Sequence, residues 1–206
     1  MRAYRDRVNC HAGSPLAIVE PDQVRPALPE YASGLGSVVV GVECYDVTYD
    51  QVFPAALATR ADLVYDTLGG IDSIRPNIER LIDAGYQVHV LRAVAPLDMR
   101  RARTLDRALA RDGRLVPEWL LENTAAAAAE TVRVLRRDNV PLAGWAEIDT
   151  AHPNGVPVAI AAGPGCAAAF PARVSATGSQ PFSRRAPIDP LMQDPWSSGG
   201  RVFARG

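Results

Sequence analysis

Apolar and polar positions fall into blocks over the first 150 residues, and the period of each block predicts an element. Residues 15–19 (PLAIV) and 62–65 (DLVY) are short apolar runs, as in strands buried on both faces. Tyr86 to Val94 alternates, with Val88, Val90 and Ala93 interrupted by Gln87, His89 and Arg92, and predicts a third strand. Between Val38 and Arg60, the positions Val39, Val42, Val47, Val52, Ala56 and Leu57 predict a long helix that Pro54 kinks or divides. Ile74, Ile78, Leu81 and Ile82 mark the apolar stripe of a helix capped by Ser73 and closed by Gly85. Pro117 to Asn139 reads as a strong helix through Leu120, Leu121, Val132 and Leu135, and Gly144 to Ile148 as a last strand. Residues 24–31 are irregular and broken by proline, while residues 1–9 (MRAYRDRVN) read as the back half of an amphipathic helix with Ala3, Tyr4 and Val8 inward. Strands alternating with helices predict an α/β layered domain with a largely parallel sheet over residues 1–150. Beyond about Thr150 no periodicity survives. Residues 151–206 are rich in Pro, Gly, Ser and Arg and are expected to be a largely disordered tail.

The chain is organised around residues 85–120. After the third strand, Pro96 opens a helix with Asp98 near its positive end, and Gly113 stops it. Met99, Ala102, Leu105 and Leu109 fall at spacings of three and four and form one apolar face. Arg100, Arg103, Arg107, Arg111 and Arg114 recur on another. Such a row has two readings. One is a solvated face; the other is a clamp for phosphate oxygens, which guanidinium forks suit.

Composition narrows the function classes. A net charge of −1 gives no case for general nucleic-acid or membrane affinity, and no apolar run is long enough to span a bilayer. A cytoplasmic location follows by default. Cys10, Cys44 and Cys166 are odd in number and far apart, and His11, His89 and His152 lack ligand spacing, which argues against a disulfide framework and against zinc. All 22 basic residues are arginine; lysine is absent.

Two predicted strands deliver acids at their C-terminal ends: Glu20-Pro21-Asp22 after the first and Asp66-Thr67 after the second. In open parallel α/β sheets that edge is where ligands bind. Acids gathered there with arginines make a site; helix caps and solvated positions give the same residues.

The order of these features resembles the zeta toxin family, which has a P-loop kinase fold and phosphorylates UDP-N-acetylglucosamine. Residues 17–25 (AIVEPDQVR), followed by Leu28-Pro29-Glu30-Tyr31, are similar to its strand-Asp-x-Phe-Arg…His-Pro-x-Tyr segment. Residues 63–67 (LVYDT) stand where it has a strand ending in Glu-Gly-Thr. Gly85-Tyr86-Gln87-Val88 resembles its Gly-Tyr strand, and Arg107 with Gly113-Arg114-Leu115-Val116-Pro117 its helix arginine and Gly-Arg-x-Val-Pro lid. The match runs in order over roughly residues 15–150. It implies that Asp22 is the general base for a sugar hydroxyl, and that Arg25, Asp50, Asp66 and Thr67 bind the sugar nucleotide. Arg107 and Arg114 would bind the ATP phosphates and stabilise the transferred phosphoryl group. ATP and Mg2+ are the implied cofactors, and an antitoxin protein is the implied partner.

The sequence also departs from the family. A P-loop kinase carries Gly-x-x-x-x-Gly-Lys-[Ser/Thr] between its first strand and helix, and this chain has neither the motif nor a lysine. Met1 is expected to fall inside the first helix, so that the first strand and phosphate loop are missing and unpaired backbone is exposed in the sheet. Asp66 replaces a glutamate, the arginine after the family's Glu-Gly-Thr is absent, and Val24 stands for the aromatic. Three readings follow: a kinase for a sugar nucleotide; a kinase for an antibiotic, nucleoside or polynucleotide end; and a non-catalytic remnant or binding domain.

Overall fold

The computed structural model describes residues 16–34, 36, 38–109, 116–151, 158–163 and 200–205. The N-terminal helix of residues 1–9 and the Gly113 stop lie outside them. The short apolar runs become β1 (Leu16–Val19) and β2 (Asp62–Thr67), and the alternating stretch becomes β3 (Gln87–Val94). Helix α1 (Pro21–Val24) is one turn, and the proline-rich stretch after it forms 3-10 turns at Arg25–Ala27 and Pro29–Gly34. The long helix runs as α2 (Gly41–Asp46), a π-helical segment Val47–Val52, and α3 (Phe53–Ala58). Pro54 does not divide it. The wider π turn before Pro54 accommodates a residue without an N–H.

Helix α4 (Ile71–Asp83) buries Ile74, Ile78 and Leu81 as the stripe predicts. Gly85 takes the left-handed conformation (φ 86°) that ends it. Its N-cap is Gly70 rather than Ser73, whose hydroxyl sits inside the first turn and donates to the Gly70 carbonyl. Helices α5 (Leu97–Leu109) and α6 (Glu118–Arg137) follow, then β4 (Gly144–Asp149), β5 (Val158–Ala162) and β6 (Gly200–Arg205).

One sheet has the order β1-β2-β6-β3-β4-β5. The strands β1, β2, β3 and β4 share one direction, while β5 and β6 run against their neighbours. This is the α/β, mostly parallel sheet expected of a P-loop kinase-like fold. The expectation of exposed backbone is corrected. β6 lies between β2 and β3 and pairs with both, from Thr67↔Gly200 to Leu63↔Ala204 on one side and from Arg92↔Gly200 to Gln87↔Arg205 on the other. Part of the expected tail is therefore strand, because a six-residue segment between two open edges pairs the N–H and C=O groups that point to either side.

Alternation along the strands divides the core. Val19, Leu63, Tyr65, Val88 and Val90 face Phe53, Ala56, Ile74, Ile78, Leu81, Val132 and Leu135 of α3, α4 and α6. On the other face, Val64, Leu91, Ala146 and Ile148 form a second buried cluster with Leu16 and Ala159. Each fully buried Leu, Ile or Val is worth about 1.5–3 kcal/mol relative to exposure. The larger cluster therefore fixes how the helices sit on β1, β2 and β3.

Candidate functional site

Because β1 and β2 are parallel and pair Val19 with Tyr65, the residues that follow Val19 leave the sheet at the same edge as Asp66 and Thr67. β3 points the same way, so α5 also rises from that edge. Sequence order alone brings these chain ends together, with no insertion between strand and site residue.

Asp22 stands in the first turn of α1 and does not cap it; the N-cap is Glu20, whose carboxylate accepts from Gln23 at 3.3 Å. Asp22 pairs with the largely buried Arg25 at 3.2 Å. The sequence reading placed both on the substrate side without foreseeing that they bind each other. Asp50 is exposed, on the π-helical segment. The residue before it, Tyr49, turns inward between Tyr45 and Tyr65, with ring centroids 5.6 and 5.3 Å away, and its hydroxyl donates to the Asp66 carbonyl at 3.4 Å. Burial raises the pKa of Tyr49 well above the usual phenol range, and pushes Tyr65 up to about 12. Both stay neutral phenols at any physiological pH. Asn77 Nδ2 donates to the Tyr65 hydroxyl at 2.7 Å.

Thr67 is buried, and its Oγ1 accepts from the Gly69 amide at 3.4 Å. Gly69 has φ 90°, and a Cβ there would stand 2.7 Å from the Ala128 Cβ on α6. Its carbonyl accepts from the buried Thr131 hydroxyl. The turn after Asp66-Thr67 is thus held against α6 by residues that sequence reading did not single out. Only the Gly69-Gly70 pair hinted at a close backbone approach.

The apolar face of α5 is not its buried face. Leu105 and Leu109 are 59% and 77% exposed, whereas Arg100 and Thr104 are buried. Among the described elements, α5 packs chiefly on α6 and does not lie on the apolar face of the sheet, so nothing draws its leucines inward. The solvated-face reading fails for two arginines of the row. Arg103 donates to the Thr150 hydroxyl (3.1 Å) and carbonyl (2.7 Å) at the end of β4, and Arg100 donates to the Leu121 carbonyl on α6. Arg107 is half-buried in the last turn of α5, and Arg114 lies outside the described residues. Glu118 pairs with Arg101, as does Glu122 at 3.1 Å.

This order of acid-tipped strands and an arginine helix is the one that suggested a family from the sequence, and a direct comparison decides it: the family model for zeta toxin matches residues 2–143. The chain belongs to the zeta toxin family. No curated protein and no solved structure matches it. The family match ends before β4, so β5 and β6 come from sequence that the zeta toxin model does not cover.

Membership brings a kinase-like P-loop fold and nucleotide-binding chemistry, which bears on what the site could hold. Among the described residues no group of three His, Cys, Asp or Glu could hold a metal ion. A Mg2+ ion that comes with ATP needs no such group, since it is held by one or two carboxylates together with phosphate oxygens. No helix among the described residues is long and apolar enough to cross a membrane.

Proposed function

We propose that this chain is a small-molecule kinase of zeta-toxin type that transfers the γ-phosphoryl group of ATP to a sugar nucleotide such as UDP-N-acetylglucosamine. The supporting observation is the shared edge: Asp22 and Asp66 follow or end neighbouring parallel strands, and the arginine helix leaves that edge from β3. A sugar hydroxyl attacks the γ-phosphorus, the bond to the ADP oxygen breaks, and the hydroxyl proton passes to the Asp22 carboxylate. Arg25, in contact with Asp22, orients that carboxylate toward the acceptor. Asp50, Asp66 and Thr67 contact the sugar nucleotide, with Tyr49 anchoring the backbone at Asp66. Arg107 and Arg114 take the donor phosphates. The family's toxin–antitoxin setting extends the reading to a cytoplasmic enzyme restrained by an antitoxin protein.

The absence of lysine and of a Gly-rich phosphate loop motif weakens the grip on ATP and favours a second reading, a binding domain that keeps the acceptor pocket without turnover. One assay separates them. Phosphorylation of UDP-N-acetylglucosamine by the purified chain supports the kinase; binding of the sugar nucleotide with no ATP consumed supports the binding domain. In an active preparation, Asp22→Asn lowers kcat by about 10²–10⁴-fold and leaves nucleotide affinity unchanged. Undiminished turnover would remove Asp22 from its role.

A further inference from the structure

Arg100 and Thr104 are each 6% exposed and lie one turn apart on α5. One Nη of Arg100 donates to the Leu121 carbonyl, but its Nε has no hydrogen-bond partner, and neither has the Thr104 hydroxyl. Among the described residues no carboxylate pairs with Arg100. Glu118 and Glu122, the acids of the facing stretch of α6, are both taken by the exposed Arg101. A buried cation without a counter-charge is a net cost to folding. Burial, and after it the neighbouring Arg101, lower the proton affinity of Arg100, against a smaller opposing effect of the Glu122 carboxylate. The same helix carries Leu105 and Leu109 and presents them to water. Two helices that needed only to pack would do the reverse, and departures of this kind are expected where a protein trades stability for function.

We propose that Arg100 and Thr104 form half of an oxyanion site between α5 and α6, which a phosphate group completes. The guanidinium Nε belongs to the fork that grips planar or tetrahedral oxyanions, and the hydroxyl adds a second donor. A phosphate supplies both the missing charge and the missing acceptors. In the kinase reading on which this builds, the group belongs to the donor nucleotide, because α5 leaves the same strand edge as Asp66.

Thermal unfolding of the full chain with and without inorganic pyrophosphate, and separately with ATP, tests the site in wild type, Arg100→Met and Thr104→Val. Without ligand, Arg100→Met melts about 2–4 °C higher than wild type, since an apolar chain of similar length replaces an unpaired charge. Pyrophosphate stabilises wild type, binds Arg100→Met at least about tenfold more weakly, and binds the near-isosteric Thr104→Val about threefold more weakly. The inference is overturned if Arg100→Met melts lower or does not fold, if pyrophosphate leaves wild type unaffected, or if all three proteins bind it equally. Pyrophosphate binding through Arg100 with no phosphoryl transfer from ATP removes the kinase reading and leaves this site standing. Transfer that is undiminished in Arg100→Met removes the site and leaves the kinase reading.

Discussion

Tyr49 and Tyr65 show how single residues near the candidate site are tuned by burial. Each phenol is held neutral chiefly because desolvation disfavours the anion, which pushes Tyr65 up to about 12 and Tyr49 further. The unfolded chain releases the same protons near pH 10. A raised folded-state pKa gives stability that is complete below about pH 10 and is lost as the pH climbs toward 12. Tyrosinate absorbance should therefore lag behind that of free tyrosine and rise together with the loss of helicity. In Tyr49→Phe the fall of melting temperature above about pH 10 becomes shallower, and an unchanged slope would show that Tyr49 does not titrate with unfolding. At this scale the sequence revealed which acids follow strands, but not their partners. Asp22–Arg25 is a local pair at i, i+3 and could have been read from spacing. The contact of Tyr49 with the Asp66 carbonyl spans 17 residues and depends on the π-helical segment that turns Tyr49 inward.

At the scale of elements, α4 and α5 differ in how far spacing decides orientation. The stripe of α4 lies over the sheet, and its predicted members are the buried ones. The stripe of α5 was equally regular, yet the helix presents Arg100 and Thr104 inward. A hydrophobic period says which residues share a face; it does not say that a core lies beneath that face. Ile78→Ala is accordingly expected to cost about 2–5 kcal/mol in urea unfolding, whereas Leu105→Gln and Leu109→Gln each change stability by no more than about 0.5 kcal/mol. A large loss in either leucine variant would mean that this face is covered in solution.

At the scale of the whole molecule, β6 joins β1-β2 to β3-β4-β5, and no other strand pairs across that gap among the described residues. Removing residues 200–206 would open the backbone of Leu63–Thr67 and of Gln87–Arg92 at once. The truncated chain is expected to lose amide hydrogen-exchange protection in both stretches and to aggregate on warming. Wild-type protection there would show that β6 is dispensable. Among the described residues, the sequence by itself determined the order and type of the four parallel strands and of the longer helices between them, though not the one-turn α1 or the 3-10 and π turns, because periodicity and turn residues act locally. It also placed the acids at strand ends and pointed to the zeta toxin family. Only the tertiary structure decided that a distant segment of the supposed tail fills the middle of the sheet, and which side of α5 faces in. Both outcomes depend on which surfaces and backbone groups are left unsatisfied once the other elements have packed, and no local pattern encodes that.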